Sequence, residues 1–265
     1  MNNSLKNLIL NITSPKRRYG YFGNYSRWQQ ARQDSKGYDS SLILKRVKKA
    51  ALQVRREKAA YERDSVLFDK IQYSWPVLAC LLWIALKNKN KLNLVDFGGS
   101  LGTSYFQNRE LLKHLKELKW NIVEQKNFVM EGKKYFEGKH LKFYDNLEKC
   151  SKKQNLNTIL FSSSLQYLER PYDLLEKIAD LKIEHIIFDR TPFLEKGNDR
   201  ITVQKVPPRI YDASYPCWIF GLKKFLKFFR QKRYQLVADF ASSIEKSIKL
   251  EKTIIKFKGF FFVKK

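Results

Sequence analysis

The chain has 265 residues with a hydrophobic share of 43%, which is enough for a full core and excludes a disordered tail. Lys and Arg number 52 against 26 Asp and Glu, for a formal net charge of +26. This charge favours an anionic partner such as nucleic acid, acidic lipid or a phosphorylated substrate, although a lysine-rich composition would explain it equally well.

The cysteines and histidines are too scattered to suggest a metal site or a set of disulfides. The three cysteines form no CxxC pair, as is typical of proteins in a reducing cytoplasm. The longest apolar run, residues 75–86, falls short of the roughly 20 residues that span a bilayer. We therefore expect a cytoplasmic protein with no metal and no membrane-spanning segment.

Residues 1–90 predict a helical extension that packs on the rest of the chain. Basic and aromatic residues alternate over 16–38, and we favour their packing on the domain over stacking on bases or sugars. Residues 40–60 have helical spacing. A helical preface of this size commonly covers the ligand end of a sheet, so the extension suits a substrate lid.

Two further helices are predicted within this extension. Residues 61–71 continue the helical pattern, with Glu62 and its charged neighbours expected on a solvated or internally paired face. Residues 75–86 are apolar, and Pro76 fits the first turn of a buried helix.

From residue 91 onward, strands and helices alternate. Short apolar runs predict strands, and apolar residues at helical spacing predict the helices between them. The predicted strands are 92–95, 120–124, 141–144, 158–162 and 183–189, and the predicted helices include 105–118, 128–136 and 171–181. Alternation over this length implies a parallel, doubly wound α/β sheet.

The alternation ends after the fifth strand. Residues 190–221 are rich in proline and aromatic residues and are too long for an ordinary connection, so we expect an insertion. The basic helix predicted over 222–230 has an apolar face, which we expect to pack on the sheet instead of a membrane. Residues 234–240 and 254–263 are predicted strands, paired antiparallel because their link is too short for a crossover helix.

These elements predict a Rossmann-like fold in which residues 91–265 form the ligand-binding catalytic domain. Its sheet would have seven strands, mostly parallel, with an antiparallel last strand. A dehydrogenase would instead continue with parallel strands.

The most informative stretch is LNLVDFGGSLGTSYFQNR, residues 92–109. A strand leads directly into a glycine-rich turn and a helix start, where backbone can approach a nucleotide-like ligand. Asp96 at the strand end would repel a pyrophosphate and fits a ligand with a positive or hydrogen-donating group. The ammonium of S-adenosylmethionine (SAM) is such a group.

The turn resembles the acid-x-Gly-x-Gly-x-Gly signature of class I SAM-dependent methyltransferases. Asp96, Gly98 and Gly102 match it, whereas Ser100 stands where the middle glycine is usual. Longer strings, including VEQKNFVMEGKKYF, SSSLQYLERP and ITVQKVPPRIYDASYPCWIF, resemble a bacterial methyltransferase family found in lipopolysaccharide and capsule biosynthesis clusters. The resemblance runs from about residue 19 to the C-terminus and implies the class I methyltransferase fold, with SAM as cofactor.

The resemblance also implies a set of cofactor-binding residues. Glu124, after the second strand, would accept hydrogen bonds from both ribose hydroxyls. Asp145 would accept from the adenine amino group, or cap a helix. The other expected cofactor residues are Gly98, Gly99, Ser100, Gly102, Gln125, Ser162 and Ser163.

Transfer of a methyl group to a sugar hydroxyl would benefit from a general base. Asp189, at the end of the fifth strand, is the first candidate, and Asp212 and Tyr215 in the insertion are the others. His185 lies inside a strand pattern and is expected in the core or in solvent. Three cations could bind a phosphate or carboxylate of the acceptor or be solvated charges: Arg190, Lys205 and Arg209.

The sequence thus predicts a SAM-dependent methyltransferase that O-methylates a sugar of a bacterial surface polysaccharide. The acceptor would be a carbohydrate or a nucleotide- or lipid-linked sugar. An RNA methyltransferase is a first alternative, disfavoured because no NPPY-type motif or RNA-binding module is recognisable. A non-catalytic scaffold in polysaccharide assembly is a second alternative, and peripheral contact with the anionic inner membrane is compatible with the charge.

Overall fold

The computed structural model describes residues 18–37, 40–244, 246–251 and 253–265. The first 17 residues of the predicted extension, with the start of its basic and aromatic stretch, lie outside the described residues. The helices are α1 (Trp28–Gln33), α2 (Ser40–Arg55), α3 (Trp75–Lys87), α4 (Thr103–Leu112), α5 (Lys126–Tyr135), α6 (Leu147–Lys153), α7 (Pro171–Asp180) and α8 (Leu222–Gln231). The strands are β1 (Gly20–Tyr25), β2 (Tyr61–Arg63), β3 (Val66–Phe68), β4 (Lys91–Phe97), β5 (Glu117–Val123), β6 (Leu141–Tyr144), β7 (Thr158–Ser162), β8 (His185–Leu194), β9 (Arg200–Lys205), β10 (Ser214–Gly221), β11 (Tyr234–Ala241), β12 (Ser247–Leu250) and β13 (Thr253–Lys264).

An 11-stranded sheet organises the molecule. Its centre has the order β6-β5-β4-β7-β8, and every neighbouring pair in this run is parallel. β13 pairs antiparallel with β8, and β11 pairs antiparallel with β13. All seven predicted strands are therefore present in a mostly parallel Rossmann-like sheet with a reversed last strand, and the predicted fold class is confirmed.

The order in which the chain adds strands to the sheet reverses at β4. From there β5 and β6 extend to one side, whereas β7 and β8 extend to the other. In open α/β sheets, ligands bind at the carboxyl ends of the strands beside such a switch point.

Helices cover both faces of the sheet because successive strand residues point to opposite sides. Leu94 packs with the cluster that includes α3, α4 and α5, whereas Val95 packs with the cluster that includes α6, α7 and α8. In α8, Phe225 and Phe229 are buried, and their rings lie 5.1 and 5.4 Å from that of Phe188. The prediction that this basic helix packs on the sheet is confirmed.

The predicted insertion, residues 190–221, continues the sheet instead of leaving it. β8 runs past the end of β7, and β10 takes the place of β7 beside it, pairing Phe220 with Phe193. β9 pairs antiparallel with β10, and β1 pairs antiparallel with β9. We call β1, β9 and β10 the wing. The sequence did not reveal it because its strand partners lie far apart along the chain.

The helix predicted over residues 61–71 is wrong, because β2 and β3 form a hairpin there. Asp64 and Ser65 link them with φ values of 50° and 65°, the geometry of a two-residue hairpin turn. Such turns are usually marked by Asn-Gly or Asp-Gly, and this one is not. Glu62, expected on a solvated or internally paired face, is only 3% exposed. The extension is thus partly helical, and its strand β1 joins the main sheet.

Candidate active site

A cavity of about 1160 Å³ lies at the carboxyl ends of the parallel strands, beside the switch point. Its strand-end half is lined by Asp96, Gly98, Gly99, Ser100, Glu124, Gln125, Asp145, Ser162 and Ser163. Its wing half is lined by residues of the wing, the β9–β10 loop and the β2–β3 hairpin, among them Tyr61, Arg63, Lys205, Arg209, Tyr211 and Tyr215. Asp189 and Arg190 lie where the two halves meet, since β8 continues from the central sheet into the wing.

The glycine turn joins β4 to α4. A Cβ on Gly99 would lie 2.6 Å from Asp96 Cγ, so only glycine lets the carboxylate occupy its position. Gly102 has a φ of 104° and precedes the first residue of α4. Gly102, predicted to bind the cofactor, does not line the cavity and lies at the start of the helix.

Ser100 adopts the backbone conformation that favours glycine, with a φ of 56°. The residue that departs from the methyltransferase signature therefore adopts a left-handed geometry that glycine would adopt without strain. This geometry costs a residue with a Cβ about 1–2 kcal/mol.

We expect Ser100→Gly to change the free energy of unfolding by less than about 1 kcal/mol. Relief of the left-handed strain is offset by the greater freedom of glycine in the unfolded chain. Ser100→Val should destabilise by roughly 1–2 kcal/mol, because a β-branched residue tolerates this conformation poorly. Urea unfolding of both variants tests the difference, and equal losses would point to the serine hydroxyl instead of the backbone.

Asp96 is a buried carboxylate at the cavity wall, with only 1% of its surface exposed. Its Oδ2 accepts a hydrogen bond from Trp120 Nε1 at 3.1 Å. Its Oδ1 has no hydrogen-bond partner among the described residues. Burial raises the pKa of this carboxyl to about 7, opposed by hydrogen bonds from Trp120 and Ser104. Such a group fits a ligand that brings a donor or a positive charge.

Glu124 follows β5 and holds its carboxylate next to the glycine turn. Its Oε2 accepts a hydrogen bond from the Gln125 backbone at 2.7 Å, and the carboxylate also accepts one from the Ser100 backbone. Burial raises its pKa, and these two bonds oppose the rise. Gln125 is exposed and precedes α5.

Asp145 follows β6 and lines the cavity, as the sequence suggested. Lys149 pairs with its Oδ2 at 2.6 Å and lowers the pKa of the carboxyl. The cap of α6 is Asn146, whose Oδ1 accepts from the Lys149 backbone at 2.7 Å. Asp145 is thus not the helix cap.

The serines after β7 hold the adjacent strand β8 in place. Ser162 Oγ donates to Asp189 Oδ2 at 3.4 Å, and the Ser163 backbone donates to the Asp189 carbonyl at 2.9 Å. Ser164 Oγ donates to the Phe97 carbonyl at 2.6 Å. These bonds tie the ends of β4, β7 and β8 together at the cavity.

Asp189, the first predicted candidate for a general base, is a buried carboxylate that lines the cavity. It is 4% exposed, and its Oδ1 has no hydrogen-bond partner in the described part of the chain. Burial raises the pKa of the carboxyl, opposed chiefly by Arg190 and Ser162. A carboxylate with a raised pKa is a stronger proton acceptor than an exposed one.

The other two predicted catalytic residues are placed less favourably. Asp212 is exposed, pairs with Lys36 Nζ at 3.0 Å and does not line the cavity. Tyr215 lines the cavity, but burial raises the pKa of its phenol well above the usual value. At neutral pH Tyr215 is therefore a neutral phenol and not a phenolate base. His185 is 1% exposed and stacks near Phe261, in the core.

The sequence did not predict that residues of the β2–β3 hairpin lie at or next to the cavity. Arg63 is 8% exposed, lines the cavity and donates to Gln72 Oε1 at 3.0 Å. Glu62 accepts a hydrogen bond from Thr103 Oγ1 at the start of α4, and burial raises its pKa to about 7. Only recognition of the turn at Asp64 would have indicated these strands.

Tyrosines and cations dominate the wing half. The Tyr167 and Tyr215 rings meet edge to face at 5.1 Å. An Arg190 nitrogen lies 3.8 Å from Asp64 Oδ2. Lys205 Nζ lies 5.0 Å from the centre of the Phe22 ring. The positive charge of this half suits an anionic group on a ligand.

The strand order with its reversed last strand, and the glycine turn at the switch point, define the class I methyltransferase type of Rossmann-like fold. None of the described helices is long and apolar enough to cross a membrane. The sequence matches no protein-family profile and no curated protein.

Solved structures of methyltransferases resemble the chain weakly. The N-terminal domain of EvdMO1, in the presence of SAH and D-fucose, is 10% identical with a TM-score of 0.48 and covers 86% of this chain and 98% of its own. Magnesium protoporphyrin IX methyltransferase from Synechocystis PCC 6803, with bound SAH, is 12% identical with a TM-score of 0.44, covering 72% and 82%. A SAM-dependent methyltransferase from Clostridium acetobutylicum ATCC 824 is 11% identical with a TM-score of 0.44, covering 71% and 90%. Similarity this distant carries no information about function, which has to be inferred from the residues of this chain.

Proposed function

We propose that the chain is a SAM-dependent methyltransferase that binds its cofactor in the strand-end half of the cavity. The carrying observation is that Asp96, the glycine turn and Glu124 meet at the switch point of the sheet. The unpartnered Asp96 oxygen suits the ammonium of the methionine part. Glu124, oriented by two backbone amides, suits the ribose hydroxyls, and Asp145 suits the adenine amino group.

When bound, SAM supplies an activated methyl group on its sulfonium. The residues of the chain hold donor and acceptor in line and exclude water, which can account for much of the rate of a displacement. We propose that Asp189 takes the proton of an acceptor hydroxyl, because its buried carboxylate lines the cavity.

We infer that the acceptor is a sugar that carries an anionic group, such as a nucleotide- or lipid-linked sugar. The tyrosines of the wing half suit the apolar faces of a sugar ring. The cations Arg190, Lys205 and Arg209 suit a phosphate or carboxylate. The resemblance to methyltransferases of surface-polysaccharide clusters supports O-methylation of such a sugar.

The Glu124→Ala variant tests the cofactor site. We expect its affinity for SAM to fall about 10- to 100-fold, because charge-assisted hydrogen bonds worth roughly 1.5–3 kcal/mol are lost. Isothermal titration calorimetry with SAM and SAH measures this. Glu110→Ala, at a 56% exposed position on α4, is the matched control and should bind as the wild type does.

The two possible failures of this test are distinct. A wild-type protein that binds neither SAM nor SAH would overturn the proposed function. Full affinity in Glu124→Ala would remove only the ribose assignment.

A further inference from the structure

Helix α3 (Trp75–Lys87) is apolar on all sides, yet one side faces solvent. The inner side packs on the sheet, where Leu81, Ile84 and Ala85 are fully buried. The outer side has helical spacing and is exposed, by 61% at Trp75, 37% at Leu82, 38% at Trp83 and 72% at Leu86. We call these four residues the α3 stripe.

A helix that is apolar all round is normally enclosed by protein or by lipid. A contiguous exposed apolar patch on a folded chain marks an interaction surface. With 13 residues, α3 is too short to cross a bilayer, so it suits lying along a surface. The apolar residues of α8 offer no such surface, since Phe225 and Phe229 are buried against the sheet.

The chain segment that contains the α3 stripe carries only positive charges. No carboxylate residue occurs between Asp69 and Asp96. Lys87 in the last turn of α3 holds its ammonium 5.6 Å from the centre of the Trp83 ring. Lys89 follows in the next turn and, like Lys87, is exposed.

This charge distribution selects among possible occupants of the stripe. A second copy of the chain would bring two lysine-flanked surfaces of equal sign together, which costs free energy. An anionic bilayer would instead meet the lysines with its phosphates. It would also place Trp75 and Trp83 at the headgroup level, where tryptophan is enriched.

We propose that the α3 stripe and its flanking lysines form a docking surface for an anionic lipid bilayer. Trp75 follows directly on Ser74, which lines the cavity, so the surface begins at the edge of the site. If the proposed function holds, a lipid-linked acceptor would reach the cavity from this side.

Vesicle sedimentation tests the docking surface in the full chain. We expect the wild type to sediment with phosphatidylcholine vesicles that contain phosphatidylglycerol, and to be released by high salt. The affinity of the double variant Trp75→Glu/Leu86→Glu for these vesicles should be lower by a factor of about ten or more. Met130→Glu is the matched control, since it adds a carboxylate at a 65% exposed methionine on α5, and it should bind almost as the wild type does.

Four outcomes would overturn the proposal. These are no sedimentation of the wild type, equal binding to vesicles of phosphatidylcholine alone, an equal loss in Met130→Glu, or full binding by the double variant. A fifth outcome, a wild-type dimer that Leu86→Glu dissociates, would also overturn the proposal and assign the stripe to self-association. Unchanged thermal unfolding and unchanged SAM affinity in the double variant separate loss of docking from misfolding and from failure of the proposed function.

Discussion

In the absence of ligand, the Asp96→Asn variant is expected to be more stable than the wild type at pH 8, by roughly 2–4 kcal/mol. Burial raises the pKa of this carboxyl from 3.8 to about 7, so ionising it in the folded state costs free energy that asparagine avoids. Because the folded pKa lies above the unfolded value, this cost is full above about pH 7. The cost shrinks as the pH falls from about 7 towards 4 and is lost below the unfolded pKa of 3.8, where the carboxyl is protonated in both states.

The same variant is expected to lose affinity for SAM, about 10- to 100-fold, because a neutral amide replaces the carboxylate that would pair with the ammonium. In the wild type, affinity should decline as the pH falls below about 7 and Asp96 becomes protonated. Asp96→Asn should lack this decline. Stability and binding thus change in opposite directions, as at sites where function requires a buried charge.

Urea unfolding at pH 8, 6 and 4, together with calorimetry of SAM binding, measures both effects. Asp173→Asn, at a 63% exposed position on α7, should change neither. If the wild type is as stable as Asp96→Asn at pH 8, a charge on the Asp96 carboxyl does not destabilise the folded state. Unchanged binding would remove Asp96 from the cofactor site.

The second large effect is expected for Asp189→Asn, which should lower turnover about 10²- to 10⁴-fold with little change in SAM affinity. Asparagine can keep the hydrogen bond with Ser162 but cannot take a proton from an acceptor hydroxyl. Since burial raises the pKa of Asp189, activity in the wild type should also fall as the carboxyl is protonated at acid pH.

Mass spectrometry of the cell-surface glycan can report this turnover while the acceptor is unidentified. Cells that carry the wild type should show a methyl increment, which cells with Asp189→Asn should largely lack. Asp212→Asn is the control, because Asp212 is exposed and bound to Lys36 outside the cavity. Full methylation with Asp189→Asn would exclude Asp189 as the base.

The central sheet could be predicted from the sequence because its signals are local. Interior parallel strands are short apolar runs, and the run ending at Asp96 leads directly into glycines and a helix start. The strand Thr158–Ser162 and the helix start at Pro171 were predicted within a residue of their observed positions for the same reason. Glu124 and Asp145 follow such strands, and strand ends in a parallel sheet converge at one edge.

Only the tertiary structure decided what surrounds this edge. The wing pairs Gly20 with Lys205, and no local pattern records a contact between residues so far apart. The hairpin at Asp64 lacks the glycine that usually marks such a turn, so the sequence predicted a helix there. In that helix Glu62, which is buried in the structure, was expected on a solvated or internally paired face. The two candidate bases likewise differ in burial, which only the structure shows. Asp189 is enclosed at the cavity, whereas Asp212 is exposed and pairs with an exposed lysine. By itself the sequence determined the fold and the residues at the strand ends of the parallel sheet, because spacing encodes which residues are buried. The wing half depends on long-range packing, which spacing does not encode.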